Sequence, residues 1–170
     1  MPSLKVLNQM NPTEFCNLFG GVIEHNPWVA EAVFLKRPFI SVEDLSRAFS
    51  EEILKRPPDL WKKILCCHPE LSGKEAVEGK LTEFSSSEQA RIGLNRLNAE
   101  DFQRIKNFNQ LYVEKFAFPC VICLAKIKNL EELFFIQQKR FQNTQQEELL
   151  LAIHEVCSIA QFRIEKLVQP

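Results

Sequence analysis

The sequence predicts an all-α fold, a single compact domain of about seven to eight helices over residues 1–170. Apolar residues recur at helical spacing in most segments, and capping residues or prolines precede many of them. No segment alternates apolar and polar residues as a half-buried strand does, and no repeat or low-complexity linker divides the chain. With 170 residues, 45% of them hydrophobic and 25% charged, the chain is long enough to bury the core of one globular domain.

Four helices are predicted in the first 68 residues. They are expected to begin at Asn11-Pro12, Asn26-Pro27, Ser41 and about Asp59. The first has Glu14 three residues after Asn11, which is the pattern of a capping box. The fourth is expected to end at His68, because a residue that precedes a proline is disfavoured in the helical region.

In the second half of the chain, residues 71–84 contain Gly73 and Gly79 and are predicted to form a loop. Four more helices are predicted after this loop. Their expected starts are Ser85, Asn98, Asn129 and Thr144, with the Ser85 helix running to Leu97 and the last one reaching about Val168. Between them, Phe116–Ala125 is a long apolar run that contains Pro119. A proline there disfavours both a regular helix and a central strand, so we predict an extended buried segment.

Charge and composition argue against several classes of partner. The net charge is −1, and lysines and arginines are scattered among glutamates, which excludes the basic patch of a nucleic-acid-binding protein. The N-terminal residues lack the pattern of a secretory signal, and no apolar run approaches the roughly 20 residues that cross a bilayer. We therefore expect an intracellular protein, with no membrane or nucleic-acid partner, whose six cysteines are free thiols.

The segment from His68 to Gln89 is the predicted reactive site, because it places chemically active side chains in a loop between helices. His68 opens the sequence HPELSGK, and its ordinary pKa near 6.5 suits proton transfer at neutral pH. A histidine at a helix end also serves purely structural roles, and this alternative stays open. His25 and His154 have no comparable polar neighbours in the sequence.

Ser85 and Glu88 allow two interpretations. The spacing S-x-x-E is that of a capping box, in which both residues only stabilise a helix start. The start of a helix also offers free backbone N–H groups that accept negative charge, so the same residues suit substrate binding. The two roles are compatible.

Arg163 is predicted to point inward. It falls within the apolar stripe that Val156, Ala160 and Ile164 form on the last helix. An inward guanidinium requires an anionic or strongly accepting partner, since an unpaired buried charge is costly. The partner is either a structural carboxylate or an oxygen of the substrate, unless the side chain reaches the surface.

A zinc-deaminase signature is also present. His68-Pro69-Glu70 and Pro119-Cys120-Val121-Ile122-Cys123 match the H-x-E and P-C-x-x-C motifs in which one histidine and two cysteines bind zinc. In those enzymes both motifs open helices beside a sheet, whereas here His68 is predicted to close a helix. We keep a zinc-dependent nucleobase deaminase as an alternative, together with a non-catalytic helical interaction module.

These residues together identify a family resemblance. They are Phe19-Gly20, Arg37-Pro38-Phe39, the HPELSGK block, Ser85 with Glu88-Gln89, Gly93-Leu94, Asn109–Tyr112, Lys115-Phe116, Phe118-Pro119, and Ile159-Ala160 with Arg163. In this order they resemble the 2-oxo-4-hydroxy-4-carboxy-5-ureidoimidazoline (OHCU) decarboxylase family over nearly the whole chain. The resemblance implies an all-helical lyase of purine metabolism that makes (S)-allantoin during urate degradation. It further implies a small-molecule substrate, no cofactor, no metal and a homodimer.

The resemblance also assigns roles to individual residues. It implies that His68 transfers the proton and that Glu88 and Arg163 complete the catalytic group. The implied substrate-binding residues are Pro69, Ser85, Ser86, Ser87, Glu88, Gln89, Cys120, Val121, Ile122, Cys123, Leu124 and Arg163. The backbone of Cys120–Leu124 is expected to line one side of the substrate, and we call it the wall segment.

The chain departs from the family pattern at a few positions. Ala117 and Cys120 replace a usual glycine and phenylalanine, and Arg91 and Ile92 replace small residues before Gly93. The last residues do not form the peroxisomal tripeptide common in animal members. The expected location is accordingly peroxisomal or cytoplasmic.

Overall fold

The computed structural model describes residues 1–169, and its regular structure there is entirely helical. These residues form ten α-helices and one 3-10 turn, at Leu124–Lys126, without a strand. The α-helices are α1 (Leu4–Gln9), α2 (Pro12–Phe19), α3 (Trp28–Phe34), α4 (Val42–Leu54), α5 (Pro58–Cys66), α6 (Lys74–Val77), α7 (Glu83–Arg91), α8 (Ala99–Phe116), α9 (Leu130–Phe141) and α10 (Gln145–Glu165). Eight of these ten helices have seven or more residues, so the predicted all-α fold is confirmed.

Two compact units make up the chain. The first contains Met1–Cys67 and the chain from Val156 onward, and the second contains His68–Glu155. Helix α10 contributes residues to both units. The single domain predicted over residues 1–170 therefore stays a prediction.

The core of the first unit is aromatic. The ring centroids of Phe15 and Phe19 on α2 lie 4.7 Å apart, and Phe49 of α4 lies 6.1 Å from Phe19. The guanidinium of Arg37 lies 3.6 Å from the ring centroid of Phe34 at the end of α3. Aromatic packing thus joins α2, α3 and α4, as their helical spacing of apolar residues predicted.

The second unit combines an aromatic cluster with a buried ion pair. Tyr112 and Phe116 of α8 pack with ring centroids 4.6 Å apart. The Tyr112 hydroxyl donates a hydrogen bond to the carboxylate of Glu148 on α10. Arg140 of α9 donates from Nε to the same carboxylate at 2.7 Å. The three helices are therefore connected by charge as well as by apolar contact.

Most of the predicted helix starts are confirmed. The capping box of Asn11 and Glu14 is present, with hydrogen bonds of 2.9 and 3.0 Å. Ser41, Asn98 and Asn129 each accept a hydrogen bond from the third backbone N–H of the helix that follows. Thr144 and Glu147 exchange the two hydrogen bonds of a second capping box at the start of α10.

Several predictions about the helices were wrong. The helix α1 was not predicted, and α6 lies within the segment 71–84 that was predicted as loop. Helix α7 begins at Glu83 instead of Ser85, because Thr82 supplies the cap, and it ends at Arg91 well before Leu97. Gly93, at a φ of +84°, follows that end in a conformation that breaks a helix. The last helix ends at Glu165, short of Val168.

The extended buried segment is confirmed in its central part. Helix α8 ends at Phe116, and Ala117 adopts the left-handed conformation at a φ of +63°. The chain then stays non-helical and buried until the 3-10 turn begins at Leu124. No helix in the described part of the chain combines the length and apolar character that crossing a bilayer requires.

Candidate active site

His68 lies directly after the end of α5, with Cys67 as the helix cap. Its side chain is buried, with 7% of its surface exposed, and it leads into the loop Pro69–Gly73. Helix α5 ends at Cys66, so the predicted helix end at His68 was two residues too late. A buried ring on the last residue before a fixed loop has little freedom to reorient.

Three side chains hold the loop that follows His68. Gln89 of α7 accepts a hydrogen bond from the Ser72 backbone at 2.9 Å and donates one to the Glu70 carbonyl at 3.4 Å. Asn109 of α8 donates to the Leu71 carbonyl at 2.9 Å. The Ser72 hydroxyl donates to the Leu94 carbonyl, also at 2.9 Å. The loop is thereby attached to both α7 and α8.

Ser72 adopts a backbone conformation that is unfavourable for a serine. Its φ is +47°, in the left-handed region that glycine and asparagine prefer. Such a residue costs on the order of 1–3 kcal/mol and persists only where surrounding contacts enforce it. The two hydrogen bonds of Ser72 supply that enforcement. The strain lies in the loop that follows His68, and strained backbone of this kind recurs at functional sites.

Helix α7 presents the predicted site residues on one face. Ser85 and Gln89, four residues apart, are buried with 4% and 5% exposed, and Glu88 is half-buried. Ser86 and Ser87 are exposed. The structure therefore brings Ser85, Glu88 and Gln89 onto the face of α7 that packs into the unit.

The capping-box interpretation of Ser85 and Glu88 was wrong. Thr82 is the cap, since its hydroxyl accepts a hydrogen bond from the Ser85 backbone N–H at 3.3 Å. Glu88 lies in the second turn, beyond the backbone N–H groups that a helix start leaves available. The local pattern misled because Thr82 and Ser85 are both acceptable capping residues.

The wall segment is buried along its whole length. The Val121 carbonyl accepts a hydrogen bond from Arg140, and the Cys123 backbone N–H donates to Glu155 at 2.6 Å. Arg91 donates to the carbonyls of Leu124 and Ile127, the latter at 2.8 Å. Charged side chains thus fix the backbone of the wall segment at several points.

The thiols of the wall segment are held in their neutral form. Burial raises the pKa of Cys120 to about 12. Burial also raises the pKa of Cys123, and the carboxylates of Glu155 and Glu88 add to the effect. The hydrogen bond from Arg91 to the Leu124 carbonyl places α7 beside the end of the wall segment. Neither thiol is activated as a nucleophile.

Arg163 points inward as predicted, with 1% of its surface exposed. It donates to the Val22 carbonyl at 3.1 Å and pairs with Glu24 at 3.2 Å. The structural carboxylate that the sequence left open as a partner is therefore Glu24. Arg163 belongs to the first unit, whereas the other predicted site residues belong to the second.

The residues of the zinc signature do not assemble into a metal site. Among residues 1–169, no group of three or more histidine, cysteine, aspartate or glutamate side chains is arranged to hold a metal ion. His68 follows a helix instead of opening one, unlike the histidine of the zinc signature. The geometry therefore gives no support to the deaminase alternative.

Sequence reasoning missed the residues that hold the site together. Arg91 was noted only as a departure from the family pattern, and Ser72, Thr82, Arg140 and Glu155 were not singled out. Apart from Thr82, their contacts join residues 17 to 36 positions apart. The Asn11 and Ser41 caps span three residues and were readable for that reason.

Comparisons with known proteins place this geometry in context. A sequence profile of the family described as OHCU decarboxylase matches residues 8–165. The 2-oxo-4-hydroxy-4-carboxy-5-ureidoimidazoline decarboxylase of Amia calva is 37% identical over 166 residues, which cover 98% of this chain and 94% of that protein. The enzyme of the same name from Xenopus laevis is 37% identical over 161 residues, covering 95% and 91% of the two chains.

A solved structure shows the same fold. The crystal structure of an (S)-allantoin synthase superimposes with a TM-score of 0.77 at 21% identity, covering 99% of this chain and 54% of that chain. This chain therefore spans about half of that allantoin synthase. At this identity the likeness concerns the fold alone.

Proposed function

The chain belongs to the OHCU decarboxylase family, and we propose that it decarboxylates 2-oxo-4-hydroxy-4-carboxy-5-ureidoimidazoline to (S)-allantoin in urate degradation with His68 transferring the proton. Family membership makes the chain a carboxy-lyase. The observation that carries the assignment of His68 is its burial at the start of a loop that Gln89 fixes to the helix bearing Glu88. A histidine held in this way delivers a proton from a defined direction.

The substrate provides its own electron sink. Breaking the bond between CO₂ and the ring carbon that bears the hydroxyl leaves an electron pair, which the adjacent C=N accepts. One proton must then be delivered to a single face of the ring to fix the configuration of the product. The protein's tasks are to orient the ring, to stabilise developing charge and to supply that proton.

Glu88, Gln89 and Ser85 would orient the substrate. The Glu88 carboxylate accepts hydrogen bonds from ring and ureido N–H groups, and the Ser85 hydroxyl adds a further contact. The Gln89 amide already binds Ser72 and Glu70, which leaves one N–H and one lone pair for the substrate. Its first role is therefore to hold the loop.

The remaining predicted residues complete the proposal. Pro69 and the wall segment would enclose the substrate, and Ser86 and Ser87 would contribute from the exposed side of α7. The family resemblance also implies that Arg163 binds a substrate oxygen. We also propose that the protein is a homodimer, which light scattering would detect as twice the mass of one chain. Its proposed location is the peroxisome or the cytoplasm.

The decisive experiment follows the optical activity of the product. Freshly generated substrate is given to the purified protein, and allantoin is analysed by polarimetry and chiral chromatography. The uncatalysed reaction gives racemate, so a fast reaction with an excess of the (S) form supports the proposal. Racemic product formed at the background rate would overturn it.

Replacing His68 tests its role directly. We expect His68→Asn to lower kcat by about 10² to 10⁴, the usual contribution of a proton-transfer group, with little change in melting temperature. His154→Asn is the matched control, because His154 is exposed on α10. A variant at position 68 that keeps more than about a tenth of the wild-type rate would show that His68 is structural.

A further inference from the structure

Arg91 connects the two elements that the proposed function places on either side of the substrate. It lies on α7, three residues after Glu88, and its side chain extends to the segment 124–127. Its Nη2 donates to the Leu124 carbonyl and, at 2.8 Å, to the Ile127 carbonyl. Leu124 is the first residue of the 3-10 turn that follows the wall segment, and Ile127 is the cap at its end.

The other anchors of the wall segment come from different helices. Arg140 of α9 binds the Val121 carbonyl, and its own position is fixed by Glu148, which also accepts from Asn143 at 2.7 Å. Glu155 of α10 accepts from the Cys123 backbone. These contacts fix the wall segment to α9 and α10, whereas the Arg91 contacts fix it to α7.

We propose that Arg91 is a positioning residue that sets the distance between Glu88 and the wall segment, and thereby the fit and orientation of the substrate. This inference rests on the proposed function. A guanidinium suits the task because its donors have a fixed geometry and its charge strengthens each hydrogen bond to a carbonyl.

Arg91 holds the wall segment through its two hydrogen bonds and forms no ion pair there. Arg91 is largely exposed, and its bound partners are neutral carbonyls of the buried residues Leu124 and Ile127. Losing the side chain therefore removes two backbone attachments without leaving a buried charge. The expected result is a looser wall segment in a protein that remains folded.

The test compares three variants. Arg91→Met keeps the apolar stem and removes the donors, Arg91→Lys keeps the charge and one donor group, and Arg96→Met is the matched control. The Arg96 side chain is exposed and forms no hydrogen bond or ion pair within residues 1–169. Each protein is measured for KM, kcat, enantiomeric excess, melting temperature and hydrogen exchange of the peptide covering residues 120–127.

For Arg91→Met we expect faster exchange in residues 120–127 and a fall in kcat/KM of about tenfold, mostly through KM, since a small displacement of a substrate-binding element has effects of this size. Enantiomeric excess should fall as well, because a looser wall admits more than one substrate orientation. Arg91→Lys should recover part of both losses, and Arg96→Met should match the wild type.

Three outcomes would overturn the inference. The first is unchanged exchange in residues 120–127 of Arg91→Met. The second is faster exchange with kcat/KM and enantiomeric excess equal to those of Arg96→Met. The third is a loss of activity that follows the melting temperature and that Arg91→Lys does not reduce. Failure of the proposed function itself is recognised separately, because the wild type would then give racemic product at the background rate.

Discussion

Replacing Arg163 by methionine is expected to destabilise the protein, although it substitutes an apolar side chain on an apolar helix face. Arg163 and Glu24 are each 1% exposed and form an ion pair at 3.2 Å. The variant takes the guanidinium away from a carboxylate that stays buried. Removing one partner of a buried pair typically costs about 3–5 kcal/mol, because the remaining charge keeps its desolvation penalty.

Urea unfolding followed by circular dichroism measures this loss. In a chain of this size, a loss of about 3 kcal/mol in the free energy of unfolding also lowers the melting temperature, measured by heating, by roughly 6–12 °C. The double variant Arg163→Met with Glu24→Leu removes both charges and should recover most of the loss, since apolar replacements of a buried pair are often neutral or stabilising. Arg163→Lys should be intermediate, because lysine provides the charge without the planar pair of donors.

The double-mutant comparison also separates the two roles proposed for Arg163. If the arginine only stabilises the fold, the double variant regains both stability and KM. If it also binds substrate, the double variant regains stability while KM stays high. A loss below about 1 kcal/mol for Arg163→Met, no more than that of an ordinary hydrogen bond, would refute the reasoning from the buried pair.

Two further predictions concern residues around the site. Thr82→Ala should lower the free energy of unfolding by about 1 kcal/mol with little effect on kcat, because Thr82 is the cap of α7. Ser85→Ala should instead lower kcat/KM, with little change in the free energy of unfolding. The two variants would contradict this division if they lowered kcat/KM to the same extent. Burial and the neighbouring Glu75 raise the pKa of Glu70, so its ionised form opposes folding above that pKa. Glu70→Gln should therefore increase the free energy of unfolding at pH 7. At pH 3 it should change that free energy little, because the carboxyl is then protonated in the folded and the unfolded protein. A gain of the same size at both pH values would argue against a raised pKa of Glu70.

Local signals predicted much of the fold. Asn11, Ser41, Asn98 and Asn129 were readable as caps because a cap and its partner lie three residues apart. The same reasoning failed at α7, where Thr82 precedes three serines and several residues fit the cap equally well. Competing caps differ by a few tenths of a kcal/mol, which is too little for sequence alone to decide between them.

The sequence suggested which residues to consider for the candidate site, but it did not show which residues they contact. The burial of Arg163 followed from its place on the apolar stripe of the last helix, but Glu24 is 139 positions away in sequence. Likewise, the sequence placed Gln89 near the site without indicating that its amide holds the loop of His68. Helical periodicity specifies which face of a helix is buried, and only the folded chain specifies what that face meets.

Ala117 ends α8 in the left-handed conformation, which glycine adopts more readily than alanine. Alanine costs roughly 1–2 kcal/mol in this conformation. Glycine avoids that cost but gains more freedom in the unfolded chain, which offsets about 0.4–1 kcal/mol of the difference. Glycine therefore stays favoured at this helix end by roughly 1 kcal/mol. The end of α8 therefore carries a local backbone cost that the rest of the fold has to offset.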